Sequence, residues 1–149
     1  MREKFSEALK QALKARETRK VSTIRLIQAA IKDRDIAHRS AGKDPVGEED
    51  IQAMLAKMVK QREESARIYE DAGRVELAEQ EREEIEVIRD FMPTQLSDAE
   101  VESACASVVA ETGAQGLRDM GKCMNALKER YPGQMDFSKA SGKVKQMLR

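Results

Sequence analysis

The chain has 149 residues, 36% of them charged and 40% hydrophobic, with 3% aromatic residues and no Trp. That length holds one ordinary domain or two small helical ones, and the apolar share, falling at regular spacing, is enough to fold. Three prolines and eight glycines are too few for a fold of many short strands, and no apolar run approaches the length of a membrane span.

Net charge is zero, but its distribution is uneven. Residues 1–47 carry 12 Lys/Arg against 6 Asp/Glu, residues 48–92 carry 7 against 14, and residues 93–149 carry 8 against 7. Within the last stretch, residues 116–149 hold 8 basic and 3 acidic side chains. Two basic ends flank an acidic middle, and a basic surface attracts phosphates. The simpler reading is that these charges solvate exposed helix faces. Cys105 and Cys123 lie too far apart for a CxxC pair and sit in apolar helical pattern. With no secretory apolar segment after Met1, they read as buried or partly buried thiols of a cytoplasmic protein.

In chain order, Phe5, Ala8, Leu9, Ala12 and Leu13 predict a first amphipathic helix, and Val21, Ile24, Ile27, Ala30 and Ile31 a second. Residues 40–47 read as a loop around Gly42, Pro45 and Gly47. A third helix carries Ile51, Met54, Leu55, Met58, Val59, Arg62, Ala66 and Tyr69, with Gly73 as its stop. The fourth uses Leu77, Ala78, Glu81, Ile85, Ile88 and Met92 until Pro93. The short turn between these two predicts a long antiparallel hairpin.

Pro93–Leu96 reads as a joint, and Ser97 with Glu100 forms a capping box for a fifth helix through Val101, Ala104, Cys105, Val108 and Val109, closed near Gly113. A sixth holds Leu117, Met120, Met124 and Leu127. Asp136 caps a seventh with Phe137, Ala140, Val144, Met147 and Leu148 inward. Gly142 inside that helix costs about 1 kcal/mol relative to Ala, which suggests close backbone packing. The methionines at 54, 58, 120, 124 and 147 read as core filling. The expected fold is all-α in two subdomains: residues 1–93, of about four helices with the long hairpin, and residues 94–149, a smaller bundle of three to four helices.

Few patterns suggest chemistry. Gly116–Cys123 fits the GxxxxGK part of a phosphate-binding loop, but a helix rather than a strand precedes it, and Cys123 stands where a Ser/Thr hydroxyl holds magnesium. Ser40 and Lys43 have an acyl-transfer spacing, but in a flexible loop. His38 is the only histidine. Glu79, Glu81, Glu83, Glu84 and Glu86 spread around a helix, where Arg82 and Arg89 can pair with them. No ligand set suggests a metal or cofactor. For RNA the candidates are Arg118, Lys122, Lys128, Arg130, Lys139, Lys143, Lys145 and Arg149. With only Tyr131 and Phe137 nearby for stacking, contact would follow backbone and shape.

Several segments, in order, resemble the YqeY family: Lys60–Ser65, Tyr69, Ala72–Arg74 with Leu77, Glu84–Ile88, Phe91–Ser97, Glu111–Ala114, and Asp119–Lys122 with Met124. That family is similar to the C-terminal part of the GatB subunit of tRNA-dependent amidotransferases. The resemblance covers almost the whole chain. It implies two helical subdomains joined near Pro93 and a link to transamidation of misacylated tRNA, with the tail as the tRNA-contacting part. Activation and glutamine hydrolysis lie in portions absent here. The resemblance therefore implies a non-catalytic accessory, although carbon–nitrogen ligase activity attaches to the family by association. The tail pattern carries over to Asp119, Gly121, Lys122, Gly133 and Asp136, whereas Asn125 and Phe137 stand where relatives often have small residues. Candidate partners are tRNA, through the basic C-terminal subdomain, and an amidotransferase- or synthetase-type protein. The alternative is a protein-interaction adaptor working through the hairpin.

Overall fold

The computed structural model describes residues 1–149 and contains seven α-helices and no strand. The chain divides into two compact units, Met1–Met92 and Pro93–Arg149.

In the first unit, α1 (Arg2–Lys14) and α2 (Thr18–Ser40) pack together, as do α3 (Glu48–Asp71) and α4 (Val75–Arg89), and α2 also meets α4. Phe5, Ile24, Ile27, Leu55 and Ile88 are fully buried at its centre, and the Phe5 ring lies 4.6 Å from that of Phe91 at 45°. Burying side chains of this size contributes about 1.5–3 kcal/mol each. The α1–α2 turn passes through Arg16 at φ 56°, a left-handed residue other than glycine, with the Glu17 amide bonded to the Ala12 carbonyl. Gly73, at φ 74°, ends α3, and the Arg74 amide returns to the Tyr69 carbonyl. The hairpin that follows is laced across its seam by Arg62–Glu84 at 2.9 Å, Glu63–Arg89 at 2.7 Å and Glu70–Arg82. Residue numbers rise along α3 as they fall along α4, so the two helices run antiparallel.

A second device fixes the 41–47 loop. Both Asp35 carboxylate oxygens accept from the Arg2 guanidinium, at 2.7 and 2.9 Å. One of them also accepts the Val46 N–H, and Arg2 donates to the Val46 carbonyl, each at 3.0 Å. The result seats Val46 in the core although it belongs to a loop. The Arg2 hydrogen bond, with the Val46 amide, lowers the Asp35 carboxyl to about 2.

In the second unit, Ser97 and Glu100 exchange backbone hydrogen bonds at 3.2 and 3.0 Å and start α5 (Asp98–Glu111). A short 3₁₀ turn (Leu117–Asp119), α6 (Met120–Arg130) and α7 (Phe137–Met147) complete it. Cys105, Val108, Cys123, Leu127, Ala140 and Val144 are fully buried. The Leu96 amide bonds to the Gln134 carbonyl, and the Gln95 side chain donates to Gly133 and Pro93 carbonyls, holding residues 93–97 against the α6–α7 turn.

Several sequence expectations are corrected here. Leu117 is not on the α6 core face: the 3₁₀ turn rotates it outward and leaves it 48% exposed. Leu13 and Met147 are also exposed, each lying at the edge of its apolar stripe. Gly142 has no close neighbour; a Cβ there would meet nothing within 4 Å. The phosphate-loop spacing at Gly116–Cys123, by contrast, stands as the helical pattern before it implied: it falls on a 3₁₀ turn and a helix, with no strand feeding it.

Two predictions follow from this packing. Gly142→Ala should stabilise the protein by about 0.5–1 kcal/mol, because it removes unfolded-chain freedom without a clash; an unchanged or lower urea midpoint contradicts this. Asp35 has a folded pKa below its ordinary value, so its contribution is present above about pH 4 and lost as pH falls toward 2. Asp35→Asn should therefore be less stable than wild type at neutral pH, with the gap closing in acid-unfolding curves over that window.

Candidate nucleic-acid interface

Asp136 caps α7, accepting the Ser138 N–H at 2.9 Å and the Lys139 N–H at 3.4 Å. This sets the helical register. Ala140, Val144 and Leu148 face the core, while Lys139 and Lys143 fall one turn apart on an outer flank, about 40° from each other around the axis. Lys139 is exposed and Lys143 half-buried. Lys145 lies about 160° from Lys143, on the other flank.

On α6, Cys123 and Leu127 face inward. Lys122 sits on the outermost face beside Asn125 and Glu129, whereas Lys128 and Arg130 project to opposite flanks. Arg130 is tied to Glu111 of α5 at 2.5 Å. Arg118 is exposed on the 3₁₀ turn, and Arg149 is the exposed last residue. Of the eight basic candidates, helical geometry brings Lys139 and Lys143 together on one flank, Arg118 and Lys122 both lie near the Asp119 carboxylate, and the rest spread around the unit.

The residues of the family-like pattern have local structural work. Asp119 accepts the Gln115 N–H at 3.0 Å, closing the loop before α6. That hydrogen bond, helped by Arg118 and Lys122, holds its carboxyl below the usual range. Gly133 is buried at φ 71°, a conformation that favours glycine, and its carbonyl receives the Gln95 amide. Gly121 is exposed in α6 with open space where a Cβ would go. Asn125 is exposed, and Phe137 packs on the core. Two of the three carboxylates in residues 116–149 are thus held by backbone amides, and Lys122 remains at the surface.

Groups able to do acid–base or nucleophilic chemistry do not converge. Both thiols are buried, and burial pushes Cys105 up, away from the reactive thiolate. Thr112 Oγ1 lies 3.6 Å from the Cys123 sulfur and also bonds to the Val108 carbonyl. The His38 ring is engaged 2.9 Å from the Asp44 carbonyl, at the α2 terminus. Ser40 ends α2 and Lys43 lies in the loop beyond, both exposed. No three His, Cys, Asp or Glu side chains are grouped as metal ligands. An open cleft of about 430 Å³ is lined by charges of both signs, among them Glu17, Arg19, Lys20, Glu83, Glu86 and Asp90. Two of these pairs already meet, Arg19–Glu83 at 3.4 Å and Lys20–Glu17 at 3.9 Å. No helix is long and apolar enough to cross a membrane.

The arrangement is an all-helical scaffold with charged outer faces. The chain belongs to the Yqey-like protein family, whose model matches residues 2–148. No curated protein matches it.

If the Asp136 cap sets the α7 register, Asp136→Ala should cost about 0.5–2 kcal/mol, while Asp136→Asn or Asp136→Ser retains most of that. Equal loss in all three variants, read by thermal melting, contradicts the capping role.

Proposed function

We propose that this protein is a non-catalytic, cytoplasmic accessory that contacts the phosphate backbone of structured RNA, tRNA in the first instance, through its C-terminal unit. The observation that carries this reading is the charge balance of residues 116–149. Eight basic side chains face three carboxylates there, and Asp119 and Asp136 are held by backbone amides. On the outer faces of α6 and α7 lysine and arginine outnumber the one remaining carboxylate, the exposed Glu129, and Lys139 and Lys143 share a flank of α7. The resemblance to the tRNA-contacting tail of the amidotransferase subunit supports the same reading. Scattered charges and scarce aromatic residues suit recognition by backbone and shape rather than by base.

The alternative is an adaptor that docks an amidotransferase- or synthetase-type protein through the α3–α4 hairpin. It draws on Ile68 and Val75, which are 59% and 56% exposed on either side of the Gly73 turn. Two isolated apolar side chains fall short of a continuous stripe, so RNA contact is the preferred reading.

The experiment is a salt titration of tRNA binding. Affinity should fall linearly on a log–log plot as salt rises, and Lys139→Glu with Lys143→Glu should weaken binding equally across tRNA sequences, with a slope shallower by about 2. Absent binding at low salt, or binding indifferent to salt, overturns the reading. Protein partners that persist after nuclease treatment and require Ile68 and Val75 favour the adaptor.

A further inference from the structure

The first unit carries a second charged face that the C-terminal pattern does not include. On α2, Arg25, Lys32 and Arg39 are spaced seven residues apart and all are exposed. Seven residues advance a helix by about 10.5 Å and turn it by about 20° short of two revolutions. The three side chains therefore stand in a nearly straight row about 21 Å long. Ser22, Ala29 and Ile36 alternate with them along the same outer face, all exposed and none acidic.

None of the three forms an ion pair, although other cations of this unit do: Arg2 with Asp35, Arg19 with Glu83, and Lys20 with Glu17. The carboxylate nearest in sequence that could compensate the row, Asp35, is occupied by Arg2 and the Val46 amide. Asp33 lies about 100° round the axis from Lys32, though only about 40° from Ala29, so it borders the row without standing in line with its three cations. Two apolar side chains beside the row, Leu26 and Ile36, are about half exposed, at 48% and 52%. On the neighbouring α4 and the residue that caps its end, Glu76, Glu79, Glu83, Glu86 and Asp90 share the exposed side, so that face repels a polyanion and leaves α2 to meet it.

We infer that the outer face of α2, through Arg25, Lys32 and Arg39, is a second binding surface for the sugar–phosphate backbone of structured RNA. The row is straight, unneutralised and long enough to meet several phosphates. No Phe, Tyr or Trp lies in α2, and the His38 ring is engaged with the Asp44 carbonyl, so base stacking on unpaired strands is little offered there. The inference extends the RNA reading to the N-terminal unit but stands on different residues from Lys139 and Lys143.

The test uses the full chain and bulk tRNA across a salt series, comparing wild type, the triple variant Arg25→Glu, Lys32→Glu, Arg39→Glu, and the α7 double variant Lys139→Glu, Lys143→Glu. The expected result is a log–log salt slope shallower by roughly 3 in the triple variant, with weaker low-salt binding. Ala29→Lys, which adds a cation within the row, should tighten binding and steepen the slope by roughly 1. A triple variant and an Ala29→Lys variant that both match wild type overturn the inference, and the α7 reading then stands or falls on the double variant. Sensitivity of the triple variant alone supports the α2 surface and removes the C-terminal one. No tRNA binding by wild type at low salt overturns both. A triple variant that keeps its RNA affinity but loses salt-sensitive self-association assigns the row to the acidic face of a second copy, and also overturns the inference.

Discussion

The cap that Asp136 places on α7 fixes how the C-terminal unit divides into an inside and an outside. One carboxylate oxygen takes the amides of Ser138 and Lys139, which fixes the residue at which helical geometry begins. From that start, Ala140, Val144 and Leu148 face Cys105, Val108 and Leu127, and Lys139 and Lys143 face away. A shift of one residue would turn the helix by about 100° and bring lysine toward the core, where an unpaired charge costs several kcal/mol. The cap itself is worth about 1 kcal/mol. Its role is register, with most of the stabilisation coming from buried apolar surface.

The same logic recurs elsewhere. Glu100 reaches back to the Ser97 amide, Asp119 holds the Gln115 amide, and Asp35 holds the Val46 amide together with Arg2. Each carboxylate so used is taken from the pool that could neutralise basic side chains or act in chemistry. The α3–α4 hairpin differs. There the acids pair with arginines across the seam, and Arg62–Glu84 is mostly shielded from water, with side chains 16% and 17% exposed. Its single Nε–H···Oε2 bond, with a second Arg62 N–H donated to the Met58 carbonyl, leaves neither shielded charge unpaired, whereas the exposed Glu63–Arg89 pair adds at most about 1 kcal/mol. The acidic middle of the sequence thus becomes partly a structural seam and partly an outer face of α4.

Much of the fold was legible in the sequence because helix faces leave a periodic trace. The stripes through Ile24 and Ile27, Leu55 and Val59, Cys105 and Val108, and Leu127 and Val144 are core in the structure. Gly73 and the Ser97–Glu100 box mark their boundaries through local chemistry. Periodicity failed where the helix was not continuous. Leu117 shares the α6 repeat on paper, but the 3₁₀ turn changes the phase. It also overreached at Met147 and Leu13, on the margins of their stripes. Arg16 carries no sign of its left-handed conformation, and the Arg2–Asp35 contact spans 33 residues with no local signature. For the basic residues, composition gave their number but not their grouping, because that depends on helical phase. Lys139 and Lys143 share a flank, Arg130 is tied to Glu111, and the row on α2 appears only once burial shows which side of that helix is outermost.

The molecule presents charged helical faces around apolar cores in which both thiols are buried. The proposed contact of specific outer faces with RNA phosphates is read most directly by lysine acetylation footprinting of the full chain with and without tRNA at low salt. Lys32, Lys139 and Lys143 should be protected on tRNA addition, with exposed Lys57 on α3 left as reactive as before. Uniform reactivity at all four, with tRNA shown to be present in excess, would contradict that contact.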